Sequence, residues 1–275
     1  MAGGSGFQVS GDAAVRYERH VAPIMAPFVG ALVDAVRPAP GEAVLDLGCG
    51  TGFVAREAAR RVGAEGRVTG VDLNPGMLAV AAEQAPETPE APGAPEVVWA
   101  QAAAEALPFG DDEFDVVLCQ QSAQFFADLD AALAQAARVT RPGGRFGATV
   151  WASLEGSPFF VAQRLAIEAI GGAEAARSFD TAFRCPARVL VSAVRRAGFV
   201  ALDSRDVTAN VRLPRLDSFA PLQLAALPWG RAVAEAGPTA PAAYAAILAD
   251  LLNPYVTADQ SVLIPFASTL VTATR

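Results

Sequence analysis

Lysine is absent from all 275 residues, so the 21 basic side chains are all arginine, and histidine occurs once, as His20. Without lysine there is no Schiff-base former, and no Walker-type phosphate loop, which needs a lysine to reach the phosphates. His20 is then the one side chain whose ordinary pKa lies near neutrality. Cysteine is nearly as scarce. Cys49, Cys119 and Cys185 are odd in number and far apart, matching neither a disulfide framework nor a CxxC pair, so a reducing compartment and no metal site are expected. No stretch approaches about 18 uninterrupted apolar residues, and the first residues are Gly- and Ser-rich rather than basic. A cytoplasmic protein without a membrane span is the expectation. The net charge of −8 comes without basic clusters, which disfavours nucleic acid and favours a small-molecule substrate. Composition leaves the oligomeric state unassigned.

What is present is apolar side chain, 52% of the total, enough for a substantial core. From residue 43 to residue 151, short β-branched runs alternate with helical stretches, the pattern of a parallel sheet flanked by helices. Strands are expected at 43–48, 67–73, 96–101, 114–120 and 144–151, and helices at 53–62, 74–85 and 128–139. Pro142-Gly143-Gly144 reads as the turn into the fifth strand, and the Pro- and Glu-rich stretch 86–95 as a loop. Ahead of them, residues 12–36 read as helices interrupted by Pro23 and Pro27, lying across the sheet edge as an N-terminal cover over residues 1–40. Beyond Trp151, helices are expected at 157–170 and 187–197, a long strand at 199–213, a helical insertion at about 214–256, and a last strand at 261–272.

The first strand runs into Asp46-Leu-Gly-Cys-Gly-Thr-Gly52, where Gly48, Gly50 and Gly52 permit a tight turn, close backbone approach to a ligand and entry into a helix. A nicotinamide fingerprint would place its third glycine where this chain has Phe53. The second strand ends at Asp72, twenty residues after Gly52, where a carboxylate can accept from both ribose hydroxyls. An adenosine-containing ligand is implied. Asn74-Pro75 then supplies a helix cap and a first-turn proline.

Four blocks resemble the class I S-adenosylmethionine-dependent methyltransferases of the broad UbiE-like, methyltransferase type 11 group. They are Val44–Gly52, Gly70–Leu78, Ala104–Phe109 leading into Phe114–Leu118, and Val139–Arg145, together covering roughly residues 40–150. The resemblance implies a Rossmann-like α/β fold: seven strands, mostly parallel, helices on both faces, the last strand antiparallel, with the cap inserted in a methyltransferase domain of residues 41–275. It implies S-adenosylmethionine as cofactor and S-adenosylhomocysteine as product. Asp46, Gly48, Cys49 and Gly50 would hold the methionine portion and ribose, Asp72 the ribose hydroxyls, and Leu73 and Met77 the adenine faces. Ala103 stands where the family often has an aspartate for the adenine amino group, which leaves backbone groups of Ala103 and Ala104 at that edge. Gln120 and Gln121 would lie beside the sulfonium, with Gln124, Phe125, Trp151 and Tyr17 toward the acceptor and His20 as candidate base. Phe126, Phe159, Phe160, Trp229 and Tyr244 are further candidates for an apolar acceptor pocket, and Arg184 and Arg188 for attracting an acidic acceptor. Small-molecule O-, N- or C-methylation is the leading expectation. A cofactor-binding protein of the same fold with a regulatory or non-transfer role is the alternative.

Overall fold

The computed structural model describes Val9, residues 12–84 and residues 94–275. In chain order the elements are α1 (Ala13–His20), α2 (Ala22–Val36), β1 (Ala43–Leu47), α3 (Phe53–Val62), β2 (Arg67–Asp72), α4 (Pro75–Glu83), β3 (Val97–Gln101), β4 (Phe114–Gln120), α5 (Leu129–Val139), β5 (Thr140–Trp151), α6 (Pro158–Asp180), α7 (Ala187–Arg196), β6 (Val200–Leu213), α8 (Leu216–Leu224), α9 (Gly230–Glu235), α10 (Ala240–Leu251) and β7 (Val262–Thr274). The strands form one sheet in the order β3-β2-β1-β4-β5-β7-β6. Only β7 opposes the rest, pairing antiparallel with both β5 and β6. Most of the loop expected at 86–95 lies outside the described residues.

The central strands are buried on both faces, and their side chains alternate between two cores. Val44, Val116 and Leu118 point to the α2–α3 side together with Phe28 and Leu32, whereas Leu45, Val117 and Cys119 meet Leu133, Leu190 and Val194 of α5 and α7. The first of these cores continues without interruption through Trp151 and Phe160 to Phe219, Tyr244 and Leu248 of the helices between β6 and β7.

Four local expectations are corrected. The break in the N-terminal helices falls at Val21, and α2 runs on through Pro27. Proline removes one N–H, but α2 buries eight residues, and that packing outweighs the lost bond. Nor does α2 lie at the sheet edge: Leu32 and Val36 rest on Gly147 in the middle of β5, where a Cβ would come within 2.2 Å of Val36. The helix expected to end at Ile170 resumes after Gly172, whose φ of 77° breaks the axis, and reaches Asp180. β5 already pairs at Thr140, then skips across the Pro142–Gly144 turn before its ladder resumes at Arg145.

Candidate functional site

Chain order reverses between β1 and β4, so the loops leaving their carboxyl ends diverge and open a crevice, the usual ligand site of such sheets. Both loops are fixed from below. The N–H groups of Gly48 and Cys49 donate to the Val71 carbonyl at 2.8 and 2.9 Å, and the Ser122 hydroxyl, just past β4, donates to the Gly48 carbonyl at 2.7 Å. Gly48 has φ 70°, and a Cβ there would lie 2.6 Å from Ser122 Cβ. Gly52, at φ 85°, leaves room for the Trp99 indole, which a Cβ would approach to 2.4 Å.

Asp46 is 1% exposed. Its Oδ2 accepts from the Ala55 N–H in the first turn of α3 at 2.9 Å, while Oδ1 has no partner among the described residues. Burial, reinforced by the Asp72 charge, pushes its carboxyl up to about 7 against the pull of that N–H and of Arg56. Asp72 accepts from Gly50 N–H at 2.9 Å and Asn74 N–H at 2.8 Å, tying the glycine loop to the end of β2. Burial raises its pKa in spite of these bonds. Asn74 also caps α4 through its side chain. An ionised carboxylate offers about four acceptor positions, so both acids keep capacity for a ligand.

A single cavity of about 330 Å³ joins this polar end to an aromatic one. Asp46, Gly48, Cys49, Gly50, Asp72, Leu73, Met77, Ala103, Ala104 and Gln120 all line it, as do Tyr17, Gln121, Gln124, Phe125 and Trp151. Tyr17 descends from α1 beside the acids, and burial, then Asp72 and Glu18, hold its hydroxyl protonated. The Gln120 amide donates to Met25 Sδ. Burial raises the Cys49 thiol pKa as well, which leaves it protonated rather than nucleophilic.

His20 is not brought in. Its ring meets Phe219 of α8 edge-on at 6.3 Å and does not line the cavity, and partial burial with Arg19 and Arg16 nearby lowers its pKa. Arg184 is committed elsewhere: it donates to the carbonyls of Gln124 and Phe126 and clips the turn after β4 in place. Phe126, Phe160 and Trp229 line the cavity, whereas Phe159 and Tyr244 are core residues at its back. The structure adds Ser122, Gln163, Phe179, Phe183, Gln223 and Leu227 to the lining. Only the glutamines carried a readable signal, as polar residues inside apolar helical stretches.

Residues 45–148 match the family model described as a methyltransferase domain. Nocamycin O-methyltransferase of Saccharothrix syringae is 42% identical over 45% of this chain and 42% of its own length. The ubiquinone/menaquinone biosynthesis C-methyltransferase UbiE of Shewanella halifaxensis is 37% identical over 41% of this chain and 44% of its own. Aklanonic acid methyltransferase DauC of a Streptomyces species is 36% identical over 48% of this chain and 59% of its own. The chain thus spans about half the length of the curated relatives it matches. Among solved structures, the [4+2]-cyclase SpnF overlays all of this chain and 87% of its own at TM-score 0.55 and 22% identity. Phosphoethanolamine N-methyltransferase 2 of Haemonchus contortus overlays 95% of this chain and 56% of its own at 0.57 and 20% identity. These overlays establish the fold.

Proposed function

We propose, from the premise that residues 45–148 are a class I S-adenosylmethionine-dependent methyltransferase domain of the UbiE-like group, that this protein methylates a small, largely apolar acceptor held beneath α8–α10. The observation that carries the reading is Asp46: a buried carboxylate oxygen without a partner among the described residues, at the head of a cavity whose far end is aromatic. The residues fit S-adenosylmethionine. Asp46 Oδ1 suits the ammonium of the methionine portion, the open space beside Gly50, where a Cβ would meet nothing within 4 Å, suits its close approach, and the remaining lone pairs of Asp72 suit the ribose. Leu73, Met77, Ala103 and Ala104 would enclose the adenine, with Cys49, Gly50 and Gln120 along the tail.

When bound, the cofactor supplies a methyl group on a cationic sulfur that is already electrophilic, so the protein's part is alignment and exclusion of water. Tyr17 and Phe125 line the same cavity, and Trp151 and Phe160, 4.7 Å apart edge-to-face, would form the floor on which a flat acceptor rests. The polar side chains on that side are Gln121, Gln124, Gln163 and Gln223, the Trp229 indole N–H and the Tyr17 hydroxyl that burial keeps protonated, none of which removes protons at neutral pH. This favours O- or C-methylation, the two transfer types in the names of the curated relatives, of a phenol or enol acidic enough to ionise on its own. On this reading His20→Ala changes the transfer rate by less than about twofold, since His20 lies outside the cavity; a loss of tenfold or more in kcat would restore it as the base.

The direct test is transfer of labelled methyl from S-adenosylmethionine to a panel of phenolic and enolic acceptors. Because a solved cyclase shares the fold, S-adenosylhomocysteine binding with no transfer to any acceptor would favour the non-transfer alternative. Asp72→Ala is expected to weaken S-adenosylhomocysteine about tenfold or more in calorimetry, through two lost ribose hydrogen bonds and a loosened Gly50. Unchanged affinity would overturn the adenosine assignment.

A further inference from the structure

Behind the aromatic floor, a chain of hydrogen bonds fixes which way one glutamine faces. The Ser268 hydroxyl of β7 donates its single proton to the Val150 carbonyl of β5 at 2.8 Å. A carbonyl only accepts, so the Ser268 oxygen has only lone pairs left to offer. The group 2.8 Å away on Gln121 is therefore its NH2 end, and its carbonyl oxygen points the other way. That oxygen faces Gln124 at 3.3 Å, which must in turn present its NH2. By elimination the Gln124 Oε1 is turned away from Gln121, and no group among the described residues satisfies it.

Gln124 is 2% exposed and lines the cavity, and the turn that carries it is held by Arg184. Gln121 sits at φ 51°, a conformation that a residue with a side chain adopts at a cost, and its N–H is anchored to the Thr149 carbonyl at 2.9 Å. Strain, clip and relay all serve to hold one buried acceptor atom in one orientation. A buried carbonyl left unsatisfied costs about 1–3 kcal/mol, which a ligand recovers by donating to it.

We propose that Gln124 Oε1 is a specificity-determining group that selects acceptors carrying an O–H or N–H donor on a flat apolar framework, with Ser268 and Gln121 as the positioning residues that fix its orientation. The donor is distinct from the nucleophile that takes the methyl group. An analogue in which this donor is capped leaves the carbonyl unpaired and is rejected, and an apolar residue at position 124 removes the reason for rejection. The assignment rests on reading the aromatic half of the cavity as the acceptor site.

The test is calorimetric binding, in the presence of S-adenosylhomocysteine, of 1,3-dihydroxynaphthalene and of its dimethyl ether. The natural sequence is expected to prefer the diol by about tenfold, the value of one buried neutral hydrogen bond. Gln124→Met is expected to bring the ratio below about twofold with S-adenosylhomocysteine affinity unchanged. Ser268→Ala, which leaves the cavity lining intact but frees Gln121 to turn over, is expected to reduce the preference part of the way. No binding of the diol, no preference in the natural sequence, or the same preference in Gln124→Met and Ser268→Ala would each overturn the proposal. Since the readout is binding, Gln124-dependent selectivity in a protein that moves no methyl group would refute transfer alone. Transfer without Gln124-dependent selectivity would refute this assignment alone.

Discussion

Gly48→Ala is expected to reduce S-adenosylhomocysteine affinity about a hundredfold while leaving the sheet folded. Two costs combine. A residue with a Cβ at φ 70° loses roughly 1–2 kcal/mol against glycine. The added carbon would also sit 2.6 Å from Ser122 Cβ, so either Ser122 gives up its bond to the Gly48 carbonyl or the loop lifts away from β1. A lifted loop moves the wall of the crevice into the cofactor's place, and about 2.7 kcal/mol in all corresponds to two decades. Calorimetry and a thermal melt together decide it: affinity within threefold of the natural sequence would show that the ligand does not approach the backbone here. Ser122→Gly in the same background is expected to recover part of the loss by removing the obstacle.

Asp46→Asn is expected to separate binding from stability. In the ligand-free protein the Asp46 carboxyl is held up at about 7 by burial, so the folded state favours the protonated form more than the unfolded chain does. The sign follows: the cost of ionising it in the fold is absent below about pH 4, grows between pH 4 and 7, and is complete above 7. Asparagine is neutral throughout, so the variant is expected to melt about 2–4 °C higher than the natural sequence at pH 8, equivalent to about 1 kcal/mol or more, with no gain at pH 4. Binding runs the other way. The natural sequence must ionise Asp46 to meet an ammonium, so its affinity for S-adenosylhomocysteine is expected to rise with pH up to about 7 and then level. The variant is expected to bind about ten- to a hundredfold more weakly at pH 8 and to lack that rise. A pH-independent affinity in the natural sequence would show that Asp46 is not the ammonium's partner.

The polar half of the cavity, proposed to hold the cofactor, was legible because it is local. Asp46, Gly48, Gly50 and Asp72 stand at strand ends, where a few consecutive residues dictate both the turn and what faces the crevice. The aromatic half, proposed to hold the acceptor, was harder to read. Phe179, Phe183 and Leu227 reach the cavity from α6, the turn after it and the α8–α9 junction, and nothing within those segments distinguishes them from core side chains. His20 and Tyr17 show the same limit at close range. They lie three residues apart on α1, yet α1 ends at Val21 and turns Tyr17 inward while His20 faces Phe219. Pro27 misleads for the opposite reason: the local rule against proline in a helix is sound, but the burial of α2 outweighs it. The orientation of Gln124 depends on Ser268, and the bond that links it to Gln121 spans 147 residues.

The place of β7 also bears on how the chain assembles. β5 and β6 meet only through it, although both are synthesised earlier, so each keeps an open edge until the last strand emerges. The Ser268 to Val150 bond closes a loop of 118 residues, a late and entropically expensive event. During translation the nascent chain therefore contains both strands that flank the crevice, β1 and β4, well before the segment that orients Gln124 exists. A ribosome-bound intermediate is expected to recognise the nucleoside before it can discriminate among acceptors.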